Sequence, residues 1–494
     1  MASKADLLQA VDDHQNELLA LLDRLVSFET MSPPARNTAA IQQFTDAELT
    51  KVGFETKRVP FYKGDELLSA EKVGTDAESF HSLLLNGHVD VATVDRDSWD
   101  TDPFKVTQKG DLLFGRGVSD MKGGVASFMY IFTLLHKLGI ELPGNLKFQS
   151  VVGEEAGEAG TKTLLKNGEK ADFAVVGDTS NMNFQGQGGV ITGWITLKSP
   201  HIYHDGNRAA MITTGGGLKA ANMIEKMMVV IQALEKLERY WGITKRYPGF
   251  APGIDTINPA YIEGGLHPAY IPSEAKLWIT VHFYPNENVD DITQEIEKQV
   301  IAAAKADPWL RDNLPTFKWG GDSLLADKGE VFPSLELDPD YPGMKALEKS
   351  YADIVKAKPI VGMSPSVSDS GWFGYYHIPA VDFGPGTMEQ AHSDNESLSL
   401  KQLMEYTKIM AAFIFDWCHT KESNHEKEIS FTGYYFISNY SNCVWSYFCR
   451  NRLPVQLCVN GNWSICKRSP VWPLDHGWTT FNLPGPSPRS CSGG

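Results

Sequence analysis

The sequence predicts an α/β protein, a mostly parallel sheet flanked by helices and interrupted by a smaller α+β insertion. Three observations predict it. Short apolar runs at Leu83–Gly87, Leu146–Val152 and Phe173–Val176 alternate with amphipathic helical stretches, and each run closes on a polar residue. Near Gln187 the rhythm changes to strands mixed with two long helices, for about 140 residues, a normal domain size. After Val331 the strand–helix alternation resumes. The expected units are therefore residues 1–186 and 331–420 of one domain, an insertion over 187–330, and a tail over 421–494.

Taken in order, apolar positions recur at three and four from Asp6 to Phe28, which predicts one amphipathic helix. Pro33 and Pro34 break it, and a second helix runs from Thr38 to Val52 before Gly53. A strand is expected at Glu55–Pro60, and the polar stretch 61–80 reads as irregular. The buried strand LLLNGHVD follows, then a short strand at Leu112–Phe114. Gly115, Gly117, Gly123 and Gly124 surround Asp120, so the backbone there can bend tightly. A helix at Val125–Leu138 leads to the strand Leu146–Val152, which runs into Gly153-Glu154-Glu155, and Phe173–Val176 runs into Gly177-Asp178. In the insertion, GGVITGWITLK, Lys276–Phe283 and Thr316–Trp319 read as strands. TTGGGLKAANMIEKMMVVIQALEKLERYW and Asp290–Ala306 read as helices. Gly343–Val355, Ala380–Phe383 and Ser399–Cys418 complete the core as helix, strand and helix.

Composition narrows the function. A formal charge of −16 excludes nucleic acid as the main partner, because phosphate binding needs a basic surface. No apolar run approaches the roughly 18 residues that a membrane span needs. Only Cys418 precedes residue 420, so the main body needs no disulfides, and a cytoplasmic location is expected. The tail holds Cys443, Cys449, Cys458, Cys466 and Cys491 at spacings that fit no zinc pattern. It reads as a poorly ordered or extraneous appendage, in preference to a small disulfide or metal module, and no function is placed there.

The polar residues at strand ends and glycine turns are His88, Asp120, Glu154, Glu155, Asp178 and His392. Each alone has an ordinary structural reading: a helix cap for Asp120, a solvated turn for Glu154–Glu155, an Asx-turn for Asp178, a surface loop for His392. Together, imidazoles and carboxylates without thiolates form a set suited to two divalent metals with one acid to spare. Zinc leads, with cobalt or manganese able to occupy such sites. Asp90, two residues beyond His88, is expected on the same face, where it can hold the far ring nitrogen.

The motifs NGHVD, WDTDPF, GRGVSDMKGG, GEE and GPG…AHSDNE, in this order, closely resemble the M20 family of metallopeptidases and deacylases. The resemblance covers about residues 10–418. It implies a zinc-peptidase-like catalytic domain with an inserted lid that makes a homodimer. It also implies that His88 and Asp178 bind one metal, Glu155 and His392 the other, and that Asp120 bridges them. Asp90 would orient His88, and Glu154 would act as general base and then acid in the hydrolysis of a linear amide C–N bond, on a small N-acyl substrate. A lid histidine that reaches the reacting carbonyl would be His204, which fits better than His201 in SPHIYHDGN.

Two departures bear on the substrate. Where many relatives carry an arginine, this chain has VHFYP, which places His282 there as the substrate-binding residue. A lid asparagine common in relatives is replaced around Ala269–Pro272. An arginine is a permanent forked cation and a histidine is not, so the expected substrate either has no carboxylate or has one held differently. The runs QGQGGVITGW and TINPAYIEGG resemble the acetylornithine deacetylase branch and, more narrowly, the formylaminopyrimidine deformylases. The alternatives are a dipeptidase or carboxypeptidase of the same family, or a binding protein that kept the fold and lost the chemistry.

Overall fold

The computed structural model describes residues 2–209 and 220–421. Residues up to Lys421 form one compact unit, and the tail expected from 421 lies, beyond its first residue, outside the described residues.

The larger sheet has eight strands: β1 (Glu55–Pro60), β2 (Glu66–Lys72), β3 (Leu83–His88), β6 (Leu146–Val151), β7 (Phe173–Val176), β8 (Phe184–Gly186), β16 (Val361–Met363) and β17 (Ala380–Asp382). Their order is β1-β2-β6-β3-β7-β17-β8-β16. The centre is parallel, with β3 between β6 and β7, and β17 beside β7. Central parallel strands are covered on both faces, which explains their continuous apolar runs. The alternation is visible in β3. Leu83 and Leu85 enter the core that holds Phe128 and Phe148, while Leu84 enters the opposite one with Trp372 and Phe373.

Helices Lys4–Asp13, Gln15–Val26, Lys122–Lys137 and Leu400–Cys418 bury their apolar residues in the first of these cores. The single N-terminal helix expected over 6–28 is two helices, because His14 leaves helical geometry (φ −110°, ψ 22°). The break lets each stripe reach its own partner, the first helix packing on Leu400–Cys418 and the second on Lys122–Lys137. The stretch expected to be irregular contains β2. Its burial does not alternate; pairing with β1 and β6 fixes Leu67, Leu68 and Ala70 inside.

A second sheet is built on β9 (Gly189–Lys198), β11 (Thr256–Gly264), β13 (Glu274–Phe283) and β14 (Thr316–Trp319), in the order β11-β13-β9-β14. The short strand β15 (Val331–Phe332) also pairs with β9. All these pairings are antiparallel. Helices Met223–Thr244 and Val289–Ala306 share a core with the sheet around Trp241, Ile195 and Ile279. The first part of the long helix expected from TTGGG lies outside the described residues, and β11 was not expected. Its residues beyond Ile257 are exposed, so it carries little apolar pattern. A two-residue pair, β10 (Tyr203–His204) with β12 (Tyr270–Ile271), completes this part, and β4 (Thr107–Lys109), β5 (Leu112–Phe114) and β18 (Ser397–Ser399) form a separate three-stranded sheet in the order β18-β5-β4. No described helix is long and apolar enough to cross a membrane.

Candidate metal centre and active site

The parallel strands deliver their C-terminal ends to one place. His88 is the last residue of β3, and Asp178 follows β7 by two residues. Asp120 stands in the glycine-rich turn before helix Lys122–Lys137. Glu154 and Glu155 form a tight helical turn after β6, bounded by Gly153 (φ 96°) and Gly157 (φ 58°), left-handed positions that favour glycine. His392 reaches the site from the loop after β17 with a left-handed backbone of its own (φ 59°), an uncommon conformation for a residue with a Cβ.

Two sets of ligand atoms result. His88 Nε2 lies 3.1 Å from Asp120 Oδ1 and 3.9 Å from Asp178 Oδ2. His392 Nε2 lies 2.8 Å from Glu155 Oε2 and 3.4 Å from Asp120 Oδ2. Asp120 thus offers one oxygen to each set, and each set converges closely enough to hold a metal ion. Among the described residues Glu155 Oε1 is buried without a hydrogen-bond partner, so its set has a carboxylate oxygen to spare.

The electrostatics call for cations. Burial pushes the Glu155 carboxyl up to about 7 and Asp178 to about 6, with the Asp120 charge adding to both. Glu154 is raised well above the usual range by burial, then by the Asp178, Glu155 and Asp120 charges. For Asp120 burial opposes ionisation, but the His392 and His88 hydrogen bonds win and lower it. Hydrogen bonds to Asp120 and Glu155 raise His392 to about 11. A cluster this crowded with acids fits a pair of divalent ions, which would relieve the mutual repulsion.

The two adjacent glutamates differ. Glu155 is bound to His392, and its amide donates to Asp90 Oδ2 at 3.2 Å. The Glu154 carboxyl has no hydrogen-bond or ion-pair partner among the described residues, and it lines a cavity of about 360 Å³. Asp120, Asp178, His282 and His392 line the same cavity.

Asp90 and His204 occupy positions apart from these two sets. The far nitrogen of His88 is met by the main-chain carbonyl of Asp90, at 3.0 Å, and not by its carboxylate, which stands 3.7 Å away. The carboxylate is taken up by the turn amide of Glu155. The chain leaves β3 after His88, so face alternation no longer governs Asp90. His204 does not line the cavity. It is exposed on β10, with Nδ1 2.8 Å from Asp205 Oδ1.

Sequence reasoning missed three residues. Asp382 ends β17 as His88 ends β3, so the same strand-end signal was available. It is buried beside the cavity and receives the Ser368 hydroxyl at 2.9 Å. Glu396 accepts amide protons from Gly117, Ser119 and Asp120, and pairs with Arg116 at 2.8 Å, so it braces the Asp120 turn. Glu330 also lines the cavity, and no local pattern announced it.

Comparison with known proteins gives a consistent picture. The model of peptidase family M20/M25/M40 matches residues 84–416. The N-formyl-4-amino-5-aminomethyl-2-methylpyrimidine deformylase of Bacillus subtilis is 51% identical over 84% of this chain and 98% of its own. The acetylornithine deacetylase of Proteus mirabilis is 25% identical over 75% of this chain and 88% of its own. Among solved structures, a dinuclear metal-binding M20 peptidase from Bacillus subtilis shares the fold, with a TM-score of 0.56 at 15% identity, over 81% of this chain and 98% of that one.

Proposed function

The chain belongs to peptidase family M20/M25/M40, and from that membership we propose that it is a two-metal deformylase of an N-formylated aminopyrimidine. It is a hydrolase that removes a small acyl group from an N-acylated amine. The observation that carries the reading is Asp120 dividing its two oxygens between separate histidine–carboxylate sets, with Glu154, unpartnered among the described residues, beside them.

His88 and Asp178 would hold one ion, Glu155 and His392 the other, with Asp120 between. When bound, such a pair acidifies a water and polarises the amide carbonyl. Zinc suits the nitrogen and oxygen donors, and cobalt or manganese could replace it. Glu154 takes a proton from the attacking water and passes it to the amine nitrogen as the C–N bond breaks, leaving formate and a free amine. The Asp90 carbonyl fixes the His88 ring so that Nε2 faces Asp120.

Support for a substrate without a carboxylate comes from the cavity wall. His282 stands there, its pKa lowered by desolvation, and no lysine or arginine among the described residues lines the cavity. That disfavours a dipeptidase or carboxypeptidase, which must grip a free carboxylate. An intact set of candidate ligands disfavours a binding protein without catalysis. Homodimerisation through the insertion is also part of the proposal. Edge strand β11 exposes Tyr261 and Ile262, an apolar edge open to pairing. Since His204 lies outside the cavity of its own chain, a second copy is the route by which it would act. The cysteine-poor body supports a cytoplasmic location.

The test is direct. Zinc- or cobalt-loaded protein is offered N-formyl-4-amino-5-aminomethyl-2-methylpyrimidine and N-acetylornithine side by side. Chelator-sensitive release of formate from the first, far faster than acetate from the second, is expected. Preference for N-acetylornithine would overturn the assignment.

A further inference from the structure

Glu330 occupies a place that neither the metal sets nor the proton transfer uses. It immediately precedes β15, and its backbone is pinned to β9 in both directions. Its amide donates to Thr192 Oγ1 at 2.9 Å, and its carbonyl accepts from the Thr192 amide at 3.2 Å. The side chain lines the active cavity, with no hydrogen-bond or ion-pair partner among the described residues. Burial raises its carboxyl above the usual range. A side chain at Gly157 would collide with this carboxyl, so the glycine keeps the space open. A half-buried, unpartnered carboxyl is costly unless something fills its hydrogen-bonding capacity. Firmly presented and empty-handed, Glu330 is placed to meet a ligand.

We propose that Glu330 determines specificity by binding the amidine-like edge of an aminopyrimidine, ring nitrogen and adjacent exocyclic amine, through two parallel hydrogen bonds. This rests on the deformylase reading above. One proton is shared between the carboxyl and the ring nitrogen, and the exocyclic amine donates to the other oxygen. The pairing is the same whichever partner carries the shared proton. The same carboxyl repels the carboxylate of an N-acylamino acid, with no lysine or arginine among the described residues of the cavity wall to offset it. One residue thus attracts one substrate class and rejects the other.

The experiment compares zinc-loaded wild type with Glu330→Leu and Glu330→Gln. The substrates are the N-formyl-4-aminopyrimidine and its counterpart with hydrogen in place of the 4-amino group. kcat and KM are measured separately, and binding of the deformylated 4-amino product is measured by calorimetry. Wild type should prefer the 4-amino substrate by about 10- to 100-fold in kcat/KM, mainly through KM. Glu330→Leu should lose that preference while keeping its rate on the 4-deamino substrate, and should bind the product more weakly by a similar factor. Glu330→Gln should keep part of the preference, since an amide can both donate and accept along the same edge. A Leu variant that retains the wild-type preference overturns the proposal. So does one that slows both substrates alike, the mark of a merely structural role. If wild type ignores both formylpyrimidines yet hydrolyses another N-acyl amine, the deformylase reading fails and this inference fails with it.

Discussion

Two neighbouring glutamates in one turn differ in what they touch, and that difference assigns their work. Glu155 is engaged by His392, whereas Glu154 faces the cavity with no partner among the described residues. Glu154→Gln should therefore retain bound metal and lose about 10²- to 10⁴-fold in kcat. Elemental analysis and steady-state kinetics check this, and full activity would remove Glu154 from the role. The strand-end histidines and acids were legible in sequence only as a set, because each alone had an ordinary structural reading and together they make a two-metal donor set. The Asp90 contact was not, because it depends on how the chain leaves β3 after His88. A second residue-scale effect lies far from the site. Burial and the nearby Glu287 push Asp255 up to about 8, from an ordinary value of 3.8. The folded state then holds a proton that the unfolded state releases, so this contribution to stability is present below about pH 4, falls as pH rises, and is gone above about pH 8. Asp255→Asn should flatten that dependence in urea titrations across this range; an unchanged profile would show that Asp255 does not set it.

At the scale of elements, the metal centre depends on turns being held still. Glu396 gathers the amides of Gly117, Ser119 and Asp120 and neutralises the buried Arg116. Glu396→Gln removes the charge opposite Arg116, which should cost about 3–5 kcal/mol of stability. It should also weaken metal affinity about 10- to 100-fold without touching a ligand. Thermal unfolding and chelator competition measure the two effects; unchanged metal affinity would mean the Asp120 turn is held by other contacts. Regular apolar periodicity made β3, β6, β7 and the long helices readable. β2 and the break at His14 were not, because each answers to a partner distant in sequence. β11 escaped for the opposite reason, since an exposed edge strand needs no apolar pattern.

For the whole molecule, the eight-stranded sheet positions His88, Glu155 and Asp178 at its strand ends, loops bring in Asp120 and His392, and the second sheet supplies His282 to the cavity wall. The change in composition near Gln187 coincides with a change from parallel to antiparallel pairing. The compact unit ends at Lys421 and the family match at residue 416, so a chain cut after Lys421 should keep wild-type kcat/KM. Loss of activity on truncation would give the tail a function. The central claim is that Asp120 joins two metal positions, each completed by one histidine and one further acid. Elemental analysis of the purified protein, after loading and removal of free metal, tests it most directly. Two ions per chain are expected in the wild type, with about one lost in His88→Ala and about one lost in His392→Ala. Two ions retained in either variant, or a wild type that never binds a second, would contradict it.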